Sequence, residues 1–115
     1  MTEAELQDAI ADYARIIGYT VAHFSTAISP RGQHITPVKY DAKGFPDLVL
    51  VRPPRLIFVE LKSAKGTVSP DQKWWLDRLD GCPGAEVYQW RPADWPNNVT
   101  RILPPHTAQE VPPCD

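Results

Sequence analysis

The chain contains two cysteines, Cys82 and Cys114, and neither stands at metal-ligand spacing from the other or from any of the three histidines. That pattern excludes a zinc module and a disulfide-dense secreted scaffold. Reduced thiols in a cytoplasmic protein are the favoured reading, with one long-range disulfide as the alternative. No apolar run approaches the ~18 residues of a membrane span. The opening Met1-Thr-Glu-Ala-Glu-Leu-Gln-Asp8 is acidic and lacks the apolar stretch of a signal peptide. A Gly-rich phosphate loop, a Gly-x-Ser-x-Gly elbow and internal repeats are missing too. Nor is there an excess of positive charge, since 12 Lys and Arg face 14 Asp and Glu for a formal net charge of −2.

What is present suffices for one folded domain: 115 residues, 43% of them hydrophobic, with four tryptophans. The charge is also unevenly spread. Residues 1–30 balance to −3, residues 31–75 to +4 and residues 76–115 to −3. The basic middle third holds Arg31, Lys39, Lys43, Arg52, Arg55, Lys62, Lys65 and Lys73. A polyanion responds to local potential rather than to net charge, so a nucleic-acid partner stays open. The alternative is a set of solvated lysines around loops.

Apolar residues recur at Leu6, Ile10, Tyr13 and Ile17, between a Thr2 cap and Gly18, which predicts an amphipathic helix over 3–17. Tyr19–Phe24 reads as a strand. Ser25–Gly44 has no period and contains Pro30, Gly32 and Pro37, so it is expected to be a long connection without secondary structure. Asp47–Val51 and Leu56–Lys62, joined by Arg52-Pro-Pro-Arg55, predict an antiparallel hairpin. Ser69-Pro70 opens a second helix running through Leu79. Ala85–Trp90 is a further strand. Residues 1–95 are thus expected to form a mixed α/β domain, and 96–115 a closing segment and a Pro-rich disordered tail.

Three charges sit in strands that are otherwise apolar: Asp47, Glu60 and Lys62. Burying any of them without a partner costs several kcal/mol or more, as an order of magnitude. Side chains alternate across a strand, so Glu60 and Lys62 share a face, and hairpin pairing brings Asp47 beside Glu60. Two converging carboxylates repel unless a proton or cation lies between them. A hard divalent cation bound through oxygens resolves this, with Lys62 beside it to activate water or neutralise a phosphate oxygen. The competing reading is a turn aspartate and an exposed Glu60/Lys62 ion pair.

Gly44-Phe-Pro-Asp47, Val59-Glu-Leu-Lys62 and Gly66-Thr-Val-Ser-Pro-Asp-Gln72, in that order, resemble the VRR-Nuc family of the PD-(D/E)xK nuclease superfamily. The resemblance covers roughly residues 3–92. It implies a restriction-endonuclease-like core, a mixed sheet flanked by helices, that hydrolyses phosphodiester bonds with Mg²⁺ or Mn²⁺. It implies Asp47, Glu60 and the main-chain carbonyl of Leu61 as metal ligands, Lys62 as the catalytic lysine and Gln72 as a brace from the second helix. An acidic residue on the first helix completes the pattern. On a wheel of about 100° per residue centred near the Leu6 stripe, Glu3 falls at about +60° and Glu5 at about −100°. Glu3, on the shoulder of the buried face, is therefore preferred.

The expected function is a metal-dependent, structure-selective DNA endonuclease acting on branched DNA, with a Holliday junction as first choice and a homodimer as the acting form. The chain looks like a stand-alone, phage-type member of the family. Arg31, Lys39, Lys43, Lys65 and Lys73 are the expected DNA contacts. The alternatives are a sequence-specific restriction-type nuclease and a non-catalytic DNA-binding subunit on the same fold. Relief of carboxylate repulsion further predicts that neither Asp47→Ala nor Glu60→Ala lowers stability.

Overall fold

The computed structural model describes residues 1–24, 27–28, 34–35 and 40–105. Helix α1 spans Glu3–Ile16. It starts where Thr2 and Glu5 exchange side-chain to main-chain hydrogen bonds, Thr2 N to Glu5 Oε1 at 2.9 Å and Glu5 N to Thr2 Oγ1 at 3.1 Å. It ends at Ile17, with Gly18 taking a positive φ of 99°. Leu6, Ile10 and Ile17 are buried, as the apolar spacing requires, whereas Tyr13 is half-buried and Ala14 takes a core position beside it. Burial of Leu6 and of Ile10 contributes about 1.5–3 kcal/mol each.

Four strands form the main sheet: β1 (Thr20–His23), β4 (Leu48–Arg52), β5 (Arg55–Leu61) and β6 (Glu86–Trp90), in the order β1-β4-β5-β6. β4 and β5 are the expected hairpin, paired from Arg52↔Arg55 at the Pro53-Pro54 turn to Leu48↔Val59 at the open end. β1 joins β4 antiparallel, whereas β6 runs parallel to β5, from Ile57↔Glu86 to Leu61↔Trp90. The parallel pair needs a crossover, and helix α2 (Pro70–Asp80) supplies it. The sheet is therefore mixed and the fold α/β. Ile57, Val59 and Leu61 join Leu48, Leu50 and Trp90 in the core shared with α1. The intervening Phe58 and Glu60 project to the opposite face.

Two parts of the chain differ from the sequence expectation. Ser25–Gly44 contains a small hairpin, β2 (Ala27–Ile28) and β3 (His34–Ile35), with Ala27 opposite Ile35. Strands of two residues are too short to carry a period. The folded unit also continues past residue 95. After a 3₁₀ turn at Pro92–Asp94, helix α3 (Asn97–Ile102) follows, and Val99 and Leu103 are fully buried in the core. Tyr13 ties this segment down by donating its hydroxyl to the Leu103 carbonyl at 2.6 Å. The tail from His106, including Cys114, lies outside the described residues, as do Arg31 and Lys39.

Candidate active site

The open end of the β4–β5 hairpin brings the three odd charges together. One step beyond the Leu48↔Val59 pair, Asp47 faces Glu60. Asp47 Oδ2 accepts a hydrogen bond from the Leu61 amide at 2.8 Å. The amide and carbonyl of one strand residue point to the same neighbouring strand, so the Leu61 carbonyl also lies on the Asp47 side. Asp47 thereby keeps one carboxylate oxygen for other work.

Glu60 is the only charged residue among the described ones that is buried, at 1% exposure. Its two oxygens are treated differently. Oε1 accepts from Gln72 Nε2 at 3.0 Å and has Lys62 Nζ at 3.8 Å. Oε2 is buried with no hydrogen-bond partner. A buried carboxylate oxygen left this way is costly unless it holds a proton or a cation. Burial is the main cause that pushes the Glu60 carboxyl up to about 8, with the Asp47 carboxylate next, Lys62 opposing and Glu3 adding to the rise.

Gln72 reaches Glu60 because of how α2 begins. Its Oε1 accepts from the Ser69 amide at 2.8 Å and Ser69 Oγ accepts from the Gln72 amide at 3.2 Å, a reciprocal cap. The amide group left over, Nε2, points to Glu60. Gln72 shares its helix face with Trp75, Leu76 and Leu79 as the period predicts, but all four are half-buried and α2 has no fully buried residue.

The loop that delivers Asp47 is clamped to the same helix. Gly44 has φ 85°, and a Cβ there would stand 2.6 Å from the main-chain carbon of Asp71, so the approach requires glycine. Trp75 Nε1 donates to the Asp41 carbonyl at 2.9 Å. Phe45 packs edge-on against Phe24, Phe58 and Trp75, with ring centroids 5.0–6.0 Å apart. Phe24 N donates to the Asp47 carbonyl at 3.3 Å, which ties β1 to the site.

Of the two helix glutamates, Glu3 is exposed and contributes to the field at Glu60, whereas Glu5 is committed to the Thr2 cap. The cap hydrogen bonds hold the Glu5 carboxyl below its usual range. The expected DNA contacts are scattered. Lys43 pairs with Asp71 at 3.4 Å and Lys73 with Asp77 at 3.1 Å, both at the surface, and Lys65 is exposed in the turn after Lys62. His23 is exposed on β1. Trp74 is 48% exposed with the Arg78 guanidinium 4.9 Å above its ring.

The donor set fits a hard divalent cation: the Asp47 carboxylate, which lies within hydrogen-bonding reach of Glu60, the Oε2 of Glu60 and the Leu61 carbonyl. Among the described residues no three His, Cys, Asp or Glu side chains converge to hold a metal. Two carboxylates and a main-chain oxygen make a sparse set, and Mg²⁺ takes one or two carboxylates and fills its remaining positions with water and phosphate.

The site thus sits on a mixed α/β sheet flanked by helices, with Pro-Asp at the mouth of one strand and Glu-x-Lys on its neighbour. The VRR-NUC domain model matches residues 32–91, just over half of the chain, and the protein belongs to that family. Its match takes in Asp47, Glu60, Lys62 and Gln72 but not Glu3. A solved structure described as a VRR_NUC domain is 21% identical, with a TM-score of 0.61 and coverage of 90% of this chain and 96% of that one. A second, described as a VRR_NUC domain protein, is 19% identical, with a TM-score of 0.57 and coverage of 96% and 88%. At these identities the likeness speaks to the fold. No curated relative matches the chain.

Proposed function

We propose that the protein is a metal-dependent, structure-selective DNA endonuclease that hydrolyses phosphodiester bonds in branched DNA. The observation that carries this reading is Glu60: a buried carboxylate with one unpartnered oxygen, beside Asp47 and Lys62.

Asp47, Glu60 and the Leu61 carbonyl would hold Mg²⁺ or Mn²⁺. When bound, the cation supplies positive charge to the phosphate oxygens and lowers the pKa of water. Asp47 is oriented by the Leu61 amide, and Glu60 by Gln72. Lys62 is 13% exposed at its side chain, with its ammonium 3.8 Å from Glu60 Oε1. There it donates hydrogen bonds to the attacking water or to a phosphate oxygen, and offsets negative charge as the phosphorus–oxygen bond breaks. Glu3 adds negative charge at the margin and helps attract the cation.

A four-way junction is the preferred substrate in this reading, cut symmetrically by a homodimer with a two-fold axis. The setting is cytoplasmic, and no helix among the described residues is long and apolar enough to cross a membrane. Labelled four-way junctions, flaps, forks and linear duplex, each with Mg²⁺, Mn²⁺ or EDTA, test the proposal. Metal-dependent paired incisions on the junction are expected. Equal cutting of linear duplex would replace branch selectivity by a restriction-type activity. Tight binding with no cutting under any metal would leave a DNA-binding subunit.

A further inference from the structure

Arg91 takes no part in the site described above, yet it is tied to the segment that leaves it. It follows the last residue of β6, and its Nη1 donates to two main-chain carbonyls, Ser63 at 2.8 Å and Gly66 at 2.6 Å. Those carbonyls are the two ends of the turn directly after Lys62, which closes on itself through Gly66 N to Ser63 O at 3.3 Å. The turn passes beside the lysine. A Cβ at Gly66 would stand 2.9 Å from Ser63 Oγ and 3.6 Å from Lys62 Cδ, so one side chain's width separates the Gly66 main chain from the alkyl stem. Lys62 N itself donates to the Trp90 carbonyl at 3.1 Å, one residue before Arg91.

We infer that Arg91 is a positioning residue. By clamping the Ser63–Gly66 turn it confines the stem of Lys62 and aims the ammonium at the space beside Glu60. A free lysine side chain carries rotamer entropy that binding must remove. Confining the stem before substrate arrives leaves less to be ordered in the transition state, and a misplaced reactive group costs about a hundredfold in rate per ångström. The rate effect rests on the nuclease reading above. The structural effect on Lys62 does not. Arg91 forms no ion pair among the described residues, so the guanidinium's charge is spent on this turn.

The test uses Arg91→Met and Arg91→Lys with two independent measurements on the full chain. In NMR of the metal-free protein, Arg91→Met speeds exchange of the Gly66 amide by about tenfold, the worth of one hydrogen bond. The same variant shifts the Lys62 side-chain resonances and leaves exchange at Val59 unchanged. Arg91→Lys, whose ammonium reaches one carbonyl, moves both signals part of the way. Unmoved Lys62 resonances overturn the proposal. In single-turnover cleavage, Arg91→Met lowers the rate by about tenfold to a hundredfold, with KM and salt slope unchanged, and adds no loss in a Lys62→Ala background. An equal loss in that background, or a raised KM with a flatter salt slope, overturns it and makes Arg91 a phosphate contact. If the Met variant does not fold, Arg91→Lys carries both measurements. If the parent protein cuts no DNA, the nuclease reading fails and the NMR result alone decides the role of Arg91.

Discussion

Strand β5 carries a carboxylate–cation contact near each of its ends, and the two are built in opposite ways. At its first residue, Arg55 meets Glu86 through two parallel hydrogen bonds, Nε to Oε2 at 2.8 Å and Nη2 to Oε1 at 2.6 Å. Its remaining donor Nη1 goes to the Tyr19 hydroxyl and the Ile102 carbonyl, both at 3.0 Å, and Tyr88 donates to Glu86 at 2.8 Å. Every polar atom there is used. At the other end, Lys62 stands 3.8 Å from Glu60 and one Glu60 oxygen has no partner. The electrostatics follow: hydrogen bonding to Arg55 holds the Glu86 carboxyl low, while burial and Asp47 push Glu60 up to about 8. A closed contact joins β1, β6 and α3 to the hairpin. An open one retains capacity for a ligand.

The sharpest way to break this comparison is in the rate of cutting. Asp47→Ala, Glu60→Ala and Lys62→Ala should each lower initial nicking of junction DNA by about 10²-fold or more, and near-parental cutting by any of them would remove that residue from the site. Their stabilities should separate. Carboxylate repulsion alone predicts that neither acidic variant is weakened, but Asp47→Ala leaves the Leu61 amide without its acceptor. Glu60→Ala also costs Gln72 its acceptor but removes the buried, unpartnered Oε2, so it should melt higher than Asp47→Ala in the metal-free protein.

pH should distinguish the two ends next. Glu60 titrates near 8 in the folded state against 4.5 unfolded, so between those values the folded protein keeps a proton that the unfolded chain has lost. The metal-free protein should therefore lose stability as pH rises through that window, by at most about 1.4 kcal/mol per unit, and level off above it. Glu86 works in the opposite sense, since its lowered pKa gives stability present above 4.5 and lost as pH falls. Melting curves from about pH 3 to about pH 9 check both senses. Glu60→Gln should flatten the fall, and an unchanged slope would mean that Glu60 is not the group responsible.

Opening the closed end is the third expectation. Arg55→Ala strands Glu86 with two of its three hydrogen bonds lost, and should cost about 2 kcal/mol, less than a fully buried pair because both side chains keep a quarter to a third of their exposure. Thermal unfolding measures it, and cutting at low temperature should persist. The smallest effect lies at the surface. Lys65→Gln should reduce the salt slope of DNA binding by up to about 0.9, and Lys73→Gln by less because Asp77 already holds its ammonium.

Much of this was legible in the sequence, because local chemistry dominated. The Thr2 and Ser69 caps, the Pro-Pro hairpin and the alternation that puts Glu60 opposite Val59 and Leu61 all depend on neighbours within a few residues. The approach of Asp47 to Glu60 followed from the hairpin alone. The illegible features are those made by distant segments. Arg55 and Glu86 are 31 residues apart and meet only because β6 runs parallel to β5. Val99 and Leu103 look like part of a Pro-rich ending until Tyr13 and the core claim them. Arg91 carries no signal, since an arginine that serves two carbonyls reads the same in sequence as one facing solvent.

The division of Gln72 between two tasks has a thermal consequence. One oxygen caps Ser69 and one nitrogen steadies Glu60. Helix ends are where proteins first loosen, and here the first turn of α2 cannot unwind without releasing the carboxylate. Heat should therefore erode the site at the helix terminus before the sheet beneath it melts. A cation drawn to Glu60 would be felt in return as a stiffer first turn, so amide exchange at Gln72 becomes a gauge of what the site holds.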